Sequence, residues 1–254
     1  MNATELARTL ATPVQTLGAS FYFDPPTAER AHELGLNVFE FYGLGRAGTL
    51  GDVDVAIVDR AFTFFHPRVY DMLWSNAREK ADPVVTAERY LEAAYEFADR
   101  TFGAVDSALL ARVGASAQKV LAAVPDERHL LVDGYRQYPT PTSAVHAAYL
   151  GTILLRELRG GVHIEAVVEA GLSPLEACYL QDASIFKLHG YLEDEAPEVT
   201  AEHEAKKVRA EELTEEKMAD YLEVLDDDER QALASGVSAM FDALSSPVAV
   251  ATTN

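Results

Sequence analysis

Residues 142–183 read TSAVHAAYLGTILLRELRGGVHIEAVVEAGLSPLEACYLQDA. From 142 to about 158 the run reads as a long apolar helix. It carries Arg156, Glu157 and Arg159 into Gly160-Gly161, which reads as a break, and His163 then opens the next helix. Glycines let a backbone bend sharply or approach a ligand closely. A histidine at a helix start has its pKa pushed down by the dipole, which favours a neutral ring. Arg156 and Arg159 lie three apart, on one helix face, where guanidinium forks can hold an anion. The plainer readings are a helix-start histidine over a helix crossing, and arginines paired with Glu157, Glu165 or Glu169.

Residues 162–181 have the outline of a helix-turn-helix: HIEAVVEAG, then LS, then PLEACYLQ. Reading DNA needs Arg, Lys, Asn or Gln toward base edges and basic neighbours on phosphates. The second helix offers Glu176, Gln181 and Asp182, and no basic residue before Lys187, which argues against nucleic acid as a partner.

Downstream, 193–198 (EDEAPE) is an acidic, proline-containing hinge. Two charged helices are expected at about 200–225 and 227–244, with a restart near Thr214, and SSPVAVATTN reads as a flexible tail. The expected organisation is a helical domain over 1–192, a charged helical extension over 193–244 and the tail over 245–254.

Upstream, Leu6, Leu10, Val14 and Leu17 recur at helical spacing, and Asp24-Pro25-Pro26 starts a short helix that Gly35 stops. The aromatics of 37–46 (NVFEFYGLGR) allow a buried helix or a strand. Helical patterns follow from about 53 to His66, from 84 to 102 and from 106 to 124, then a short helix and the loop YPTPTS, where Thr140 or Thr142 can cap the central helix. The fold class is therefore all-α, with at most a short strand near 37–44.

Composition narrows the function. The 254 residues carry 41 acidic against 21 basic side chains, a net charge of −20 that repels nucleic acid and anionic membrane. The single Cys178 excludes an internal disulfide and a cysteine-based zinc site. No signal peptide or membrane span is legible, so a cytoplasmic protein is expected. No metal motif, serine nucleophile elbow or dinucleotide fingerprint is present, and 46–51 (RAGTLG) lacks the spacing of a phosphate loop. No cofactor is specified.

Two more residues join the candidates. Arg46 sits in a glycine-rich turn, from which it can reach a bound anion or simply be solvated. His66 follows aromatics in Phe62-Thr63-Phe64-Phe65-His66-Pro67, as a switch, a ligand or a core histidine with one hydrogen bond. His146 and Tyr149 share a helix face and carry less weight.

Four stretches together resemble the actinobacterial SalK-like proteins, a helix-turn-helix family. They are Gly45-Arg46-Ala47-Gly48-Thr49-Leu50-Gly51, Phe64-Phe65-His66-Pro67, Leu155 to His163 (LRELRGGVH), and Ala170-Gly171-Leu172 with Glu176-Ala177. The resemblance covers roughly 5–185. It implies regulators by fold, some accompanying natural-product pathways. This chain departs from it twice. Gly160 and Gly161 are adjacent where the family places an Asp between them, and charged helices stand where the family ends in a winged-helix-like segment.

The expectation is a small-molecule-binding helical protein whose pocket is lined by Arg46, His66, Arg156, Arg159 and His163. The alternatives are a helix-turn-helix transcriptional regulator, and a cofactor-binding protein or enzyme using His163 or His66. A homo-oligomer or protein partner through the C-terminal helices is a further option.

Overall fold

Ala144–Glu169 is one unbroken helix, and the other elements pack round it. The computed structural model describes residues 1–245, which form thirteen α-helices and no strand. In chain order these are α1 (Ala3–Ala19), α2 (Pro25–Glu33), α3 (Val38–Ala47), α4 (Val55–Ala61), α5 (Pro67–Tyr70), α6 (Pro83–Phe102) and α7 (Ser107–Ala122). Then come α8 (Leu130–Tyr135), α9 (Ala144–Glu169), α10 (Pro174–Gln181), α11 (Ala183–Leu188), α12 (Ala201–Leu222) and α13 (Asp227–Ser245). A π-helical turn, Asp71–Asn76, prolongs α5.

Short polar side chains start many of these helices. Asn2, Asn37, Asp54, Asp82, Asp106, Ser173 and Asp182 each accept a backbone N–H of the first turn, each worth about 1 kcal/mol. The aromatic stretch after Asn37 is helix, not strand. Asn37 and Glu40 form a reciprocal capping box there, which satisfies backbone N–H groups at the helix start. The central helix starts instead after Ser143, which makes no side-chain cap bond.

The expected break at Gly160-Gly161 is absent, and His163 lies mid-helix in α9. The pair has another use. A Cβ on Gly161 would lie 2.4 Å from Nδ1 of buried His129, so the bare backbone admits that imidazole. A Cβ on Gly160 would meet nothing within 4 Å. Two glycines inside a helix cost about 1 kcal/mol each against alanine, and burial of the preceding turns of α9 offsets this. Tyr149, Ile153, Leu155 and Leu158 of α9 are all buried in the main core.

Small residues set the distance between α9 and α7. A Cβ on Gly151 would lie 2.7 Å from the Ala117 Cβ. The helix-turn-helix outline is built as α9, a turn with Gly171 at φ 79°, and α10. That left-handed backbone position favours glycine. The short 3-10 turn Glu193–Glu195 leads into α12, which lies on α1 and α9, while α13 lies on α1 and α7. Leu222, Leu233 and Met240 thereby enter the main core. α12 does not restart at Thr214; that hydroxyl is buried and bonds back to the Ala210 carbonyl. Of the expected tail, Ser245 closes α13 and 246–254 lie outside the described residues. No helix among the described residues is long and apolar enough to cross a membrane.

Candidate functional site

A cavity of about 590 Å³ opens where α1, α3, α4, α9 and α12 meet. Its walls are aromatic: Tyr22, Tyr42, Phe62, Phe64 and Phe65, with the exposed pair Phe23 and Phe39 among its lining. Six of the chain's 21 basic residues line it (Arg46, Arg60, Arg128, Arg156, Arg159, Lys207), against three of its 41 acidic ones (Glu157, Glu165, Glu211). In a chain of net charge −20 this is a marked reversal of sign.

The floor is a buried charge cluster. Arg46 donates from Nε to Glu157 Oε1 at 3.1 Å and from Nη2 to Oε2 at 2.7 Å. Its guanidinium lies in the corner made by the perpendicular rings of Tyr42 and Phe62, 5.0 and 4.6 Å from their centroids, and Nη1 donates to the Tyr42 hydroxyl. Arg46 and Glu157 are 6% and 4% exposed, so each charge depends on the other. Burial would push the Glu157 carboxyl up, but Arg46 and Arg156 outweigh it and hold the carboxyl below the ordinary value.

Arg156 is the less satisfied member. Nη1 reaches Glu157 Oε1 at 3.3 Å, and Nε is buried without a hydrogen-bond partner among the described residues. Its stem rests on α1, where a Cβ on Gly18 would come within 2.7 Å of Arg156 Cδ. Its guanidinium lies 5.4 Å from the Tyr22 ring centroid. The Tyr22 hydroxyl and Gln15 Oε1, also at the cavity, are buried without partners among the described residues. Burial raises the Tyr22 pKa to about 12, partly opposed by Arg156 and Arg46, so the phenol stays protonated and able to donate.

Arg159 and His163 face α12. Arg159 donates to Glu211 at 2.9 Å. His163 Nδ1 lies 2.9 Å from Thr214 Oγ1. The Thr214 hydrogen is spent on the Ala210 carbonyl at 2.7 Å, so Nδ1–H of His163 donates and Nε2 carries the lone pair. Burial lowers the His163 pKa, Glu211 opposes and Arg159 assists. The neutral ring thus comes from burial, and not from a helix N-terminus.

Four of the five expected residues, Arg46, Arg156, Arg159 and His163, therefore line one cavity. His66 is not among its lining residues. It caps α5, with Nδ1 accepting from the Arg68 backbone at 3.1 Å and Nε2 3.4 Å from Glu195. Glu157 pairs chiefly with Arg46, while Glu165 pairs with Arg128 and Glu169 with Lys217. Tyr22, Tyr42, Phe62, His129 and His189 are cavity residues that single-sequence spacing did not single out. For Tyr22, Tyr42 and Phe62 the advance signal was the aromatic density of 21–23, 39–42 and 62–65; His129 and His189 had none.

His189 lies 3.2 Å from Cys178 Sγ through Nδ1 and packs on Phe65. Burial, then Arg46, lowers its pKa to about 4, and burial raises the Cys178 thiol to about 11. The pair is thus neutral, a core contact and no activated nucleophile.

These features define an all-helical protein with a helix-turn-helix segment and an aromatic cavity whose floor is cationic. The profile of a helix-turn-helix family matches residues 7–191, most of the chain, and the chain belongs to that family. No curated protein and no solved structure matches it.

Proposed function

We propose that this protein binds a small molecule in the cavity between α3, α9 and α12. The observation that carries the reading is the cavity itself: about 590 Å³, walled by aromatic side chains, with six basic and three acidic side chains among its lining. That size and lining are typical of sites for drug-sized ligands. Arg46, Arg156, Arg159 and His163 are among its polar groups, and Phe62 and Tyr42 among its aromatic ones. The test is a fluorescence titration with N-phenyl-1-naphthylamine, a neutral dye that brightens in apolar sites. A saturable rise with one dye per chain is expected. No saturable rise would overturn the reading.

A second reading, a helix-turn-helix transcriptional regulator, is favoured by the family match over 7–191. Within it, the SalK-like, actinobacterial assignment rests on the motifs at 45–51, 64–67 and 155–163. Against contact with DNA stands α10, which has eight residues and no Arg or Lys. Glu176 is tied to Ser173 and lies 3.3 Å from His203 of α12, and Gln181 lines the cavity. A mobility shift with the gene's own upstream DNA at low salt, where phosphate contacts are strongest, would support the regulator. No shift there would remove it.

A further inference from the structure

We infer that the cavity takes an organic monoanion: one carboxylate, or a comparable singly charged acid group, on a flat apolar body. The inference rests on the small-molecule reading above and adds the ligand's charge and shape.

Charge comes first. Arg46 and Glu157 cancel as a bidentate pair, and Arg156 is left on the floor of the cavity with one 3.3 Å bond to a carboxylate already taken. The buried floor thus carries one surplus positive charge. At the walls Arg128 and Arg159 are each paired with a glutamate, at 2.7 and 2.9 Å. At the rim, half-buried Lys207 gives a hydrogen bond to the Leu180 carbonyl at 2.7 Å but keeps its charge, and Arg60 is exposed, where water screens it. An uncompensated buried guanidinium is costly, so the site favours whatever supplies one negative charge. A cation would add to the surplus, and the second charge of a dianion would find no floor partner, only Lys207 and exposed Arg60 at the rim.

Donor geometry agrees. Arg156, the Tyr22 hydroxyl and the Gln15 side-chain amide all line the cavity, and each has a buried polar atom without a partner among the described residues. Guanidinium and phenol are donors and suit an acceptor-only group such as a carboxylate, while the unpartnered Gln15 atom is the acceptor Oε1. Packing of Arg156 on the bare backbone of Gly18 limits how far the guanidinium can swing away. The flat body follows from the rings of Tyr42, Phe62 and Phe64, against which a planar face can lie.

The experiment displaces N-phenyl-1-naphthylamine with naphthalene-2-carboxylate or with naphthalene-2-carboxamide, which share a shape and differ in charge. The carboxylate is expected to displace the dye at concentrations about tenfold lower than the amide. In Arg156→Gln the two competitors should converge, each measured against the dye affinity of that variant. Equal competition in the wild type would overturn the anion inference and leave the cavity reading standing. Failure of the dye itself to bind would remove both. Tighter competition by 2-naphthyl phosphate would overturn the single-charge claim. Should Arg156→Gln fail to fold, the wild-type carboxylate-to-amide ratio and the Arg156→Lys variant, expected to keep the preference, decide the matter.

Discussion

Glu157 receives both arms of the Arg46 guanidinium, at 3.1 and 2.7 Å, across 111 positions of sequence. Both partners are buried; removing Glu157 strands two guanidiniums, whereas removing Arg46 leaves Glu157 its 3.3 Å contact with Arg156. Glu157→Ala is expected to cost about 3–5 kcal/mol, and Arg46→Ala less. Urea unfolding checks this, and a loss below about 1 kcal/mol, the scale of exposed pairs, would show that the cluster is wetter than its burial indicates.

The adjacent glycines of α9 should respond in opposite directions. Gly160→Ala meets open space and removes a helix-interior glycine, so a gain of about 0.5–1 kcal/mol is expected. Gly161→Ala drives a methyl into the His129 ring and should cost about 1–3 kcal/mol. Thermal midpoints of the two variants would settle the contrast.

Stability should fall as pH drops from neutral toward 4. His189 has a folded pKa near 4 against an ordinary 6.5, so in that window the unfolded chain binds the proton and the folded chain does not. Its contribution is complete above 6.5 and is lost on the way down to about 4. His163, also lowered, acts in the same direction from 6.5 downward. Below 4.5 Glu157 adds a further loss, since its folded pKa is depressed. Urea midpoints measured across that range should give a flatter profile in His189→Gln than in the wild type; parallel profiles would remove His189 from the explanation.

Cys178 should be inert in the native protein. The thiol is 2% exposed and its pKa is pushed up to about 11 by burial. Labelling by a disulfide reagent near pH 8 should be slower than in the urea-unfolded chain by a hundredfold or more, on the order of the thiolate deficit. Rapid native labelling would mean that the segment around α10 opens readily.

Much of the fold was legible because its signals are local. The spacing of Leu6, Leu10, Val14 and Leu17, the start at Asp24-Pro25-Pro26 and the stop at Gly35 act within a few residues of themselves. The strand-or-helix ambiguity at 37–44 turned on a capping box, since aromatic content alone does not choose. The Gly160-Gly161 pair was misread for a different reason. Adjacent glycines look like a break until the neighbour is known, and that neighbour, His129, is remote in sequence. The cavity was partly legible, as polar residues standing in apolar, glycine-marked stretches. The pairing of Arg46 with Glu157, the surplus on Arg156 and the aromatic walls are products of packing, which no spacing rule encodes. His66 had a suggestive local context, but its imidazole is used to cap α5.

The measurement that bears most directly on the small-molecule reading is dye binding to the Gly160→Trp variant. Gly160 lines the cavity and its Cβ position is open, so the indole should occupy the ligand space without disturbing α9. With circular dichroism and thermal midpoint retained, affinity for N-phenyl-1-naphthylamine is expected to fall about tenfold or more, because the lost contacts are those of a filled apolar site. Unchanged affinity in a folded Gly160→Trp protein would place dye binding elsewhere and contradict the assignment of this cavity as the site.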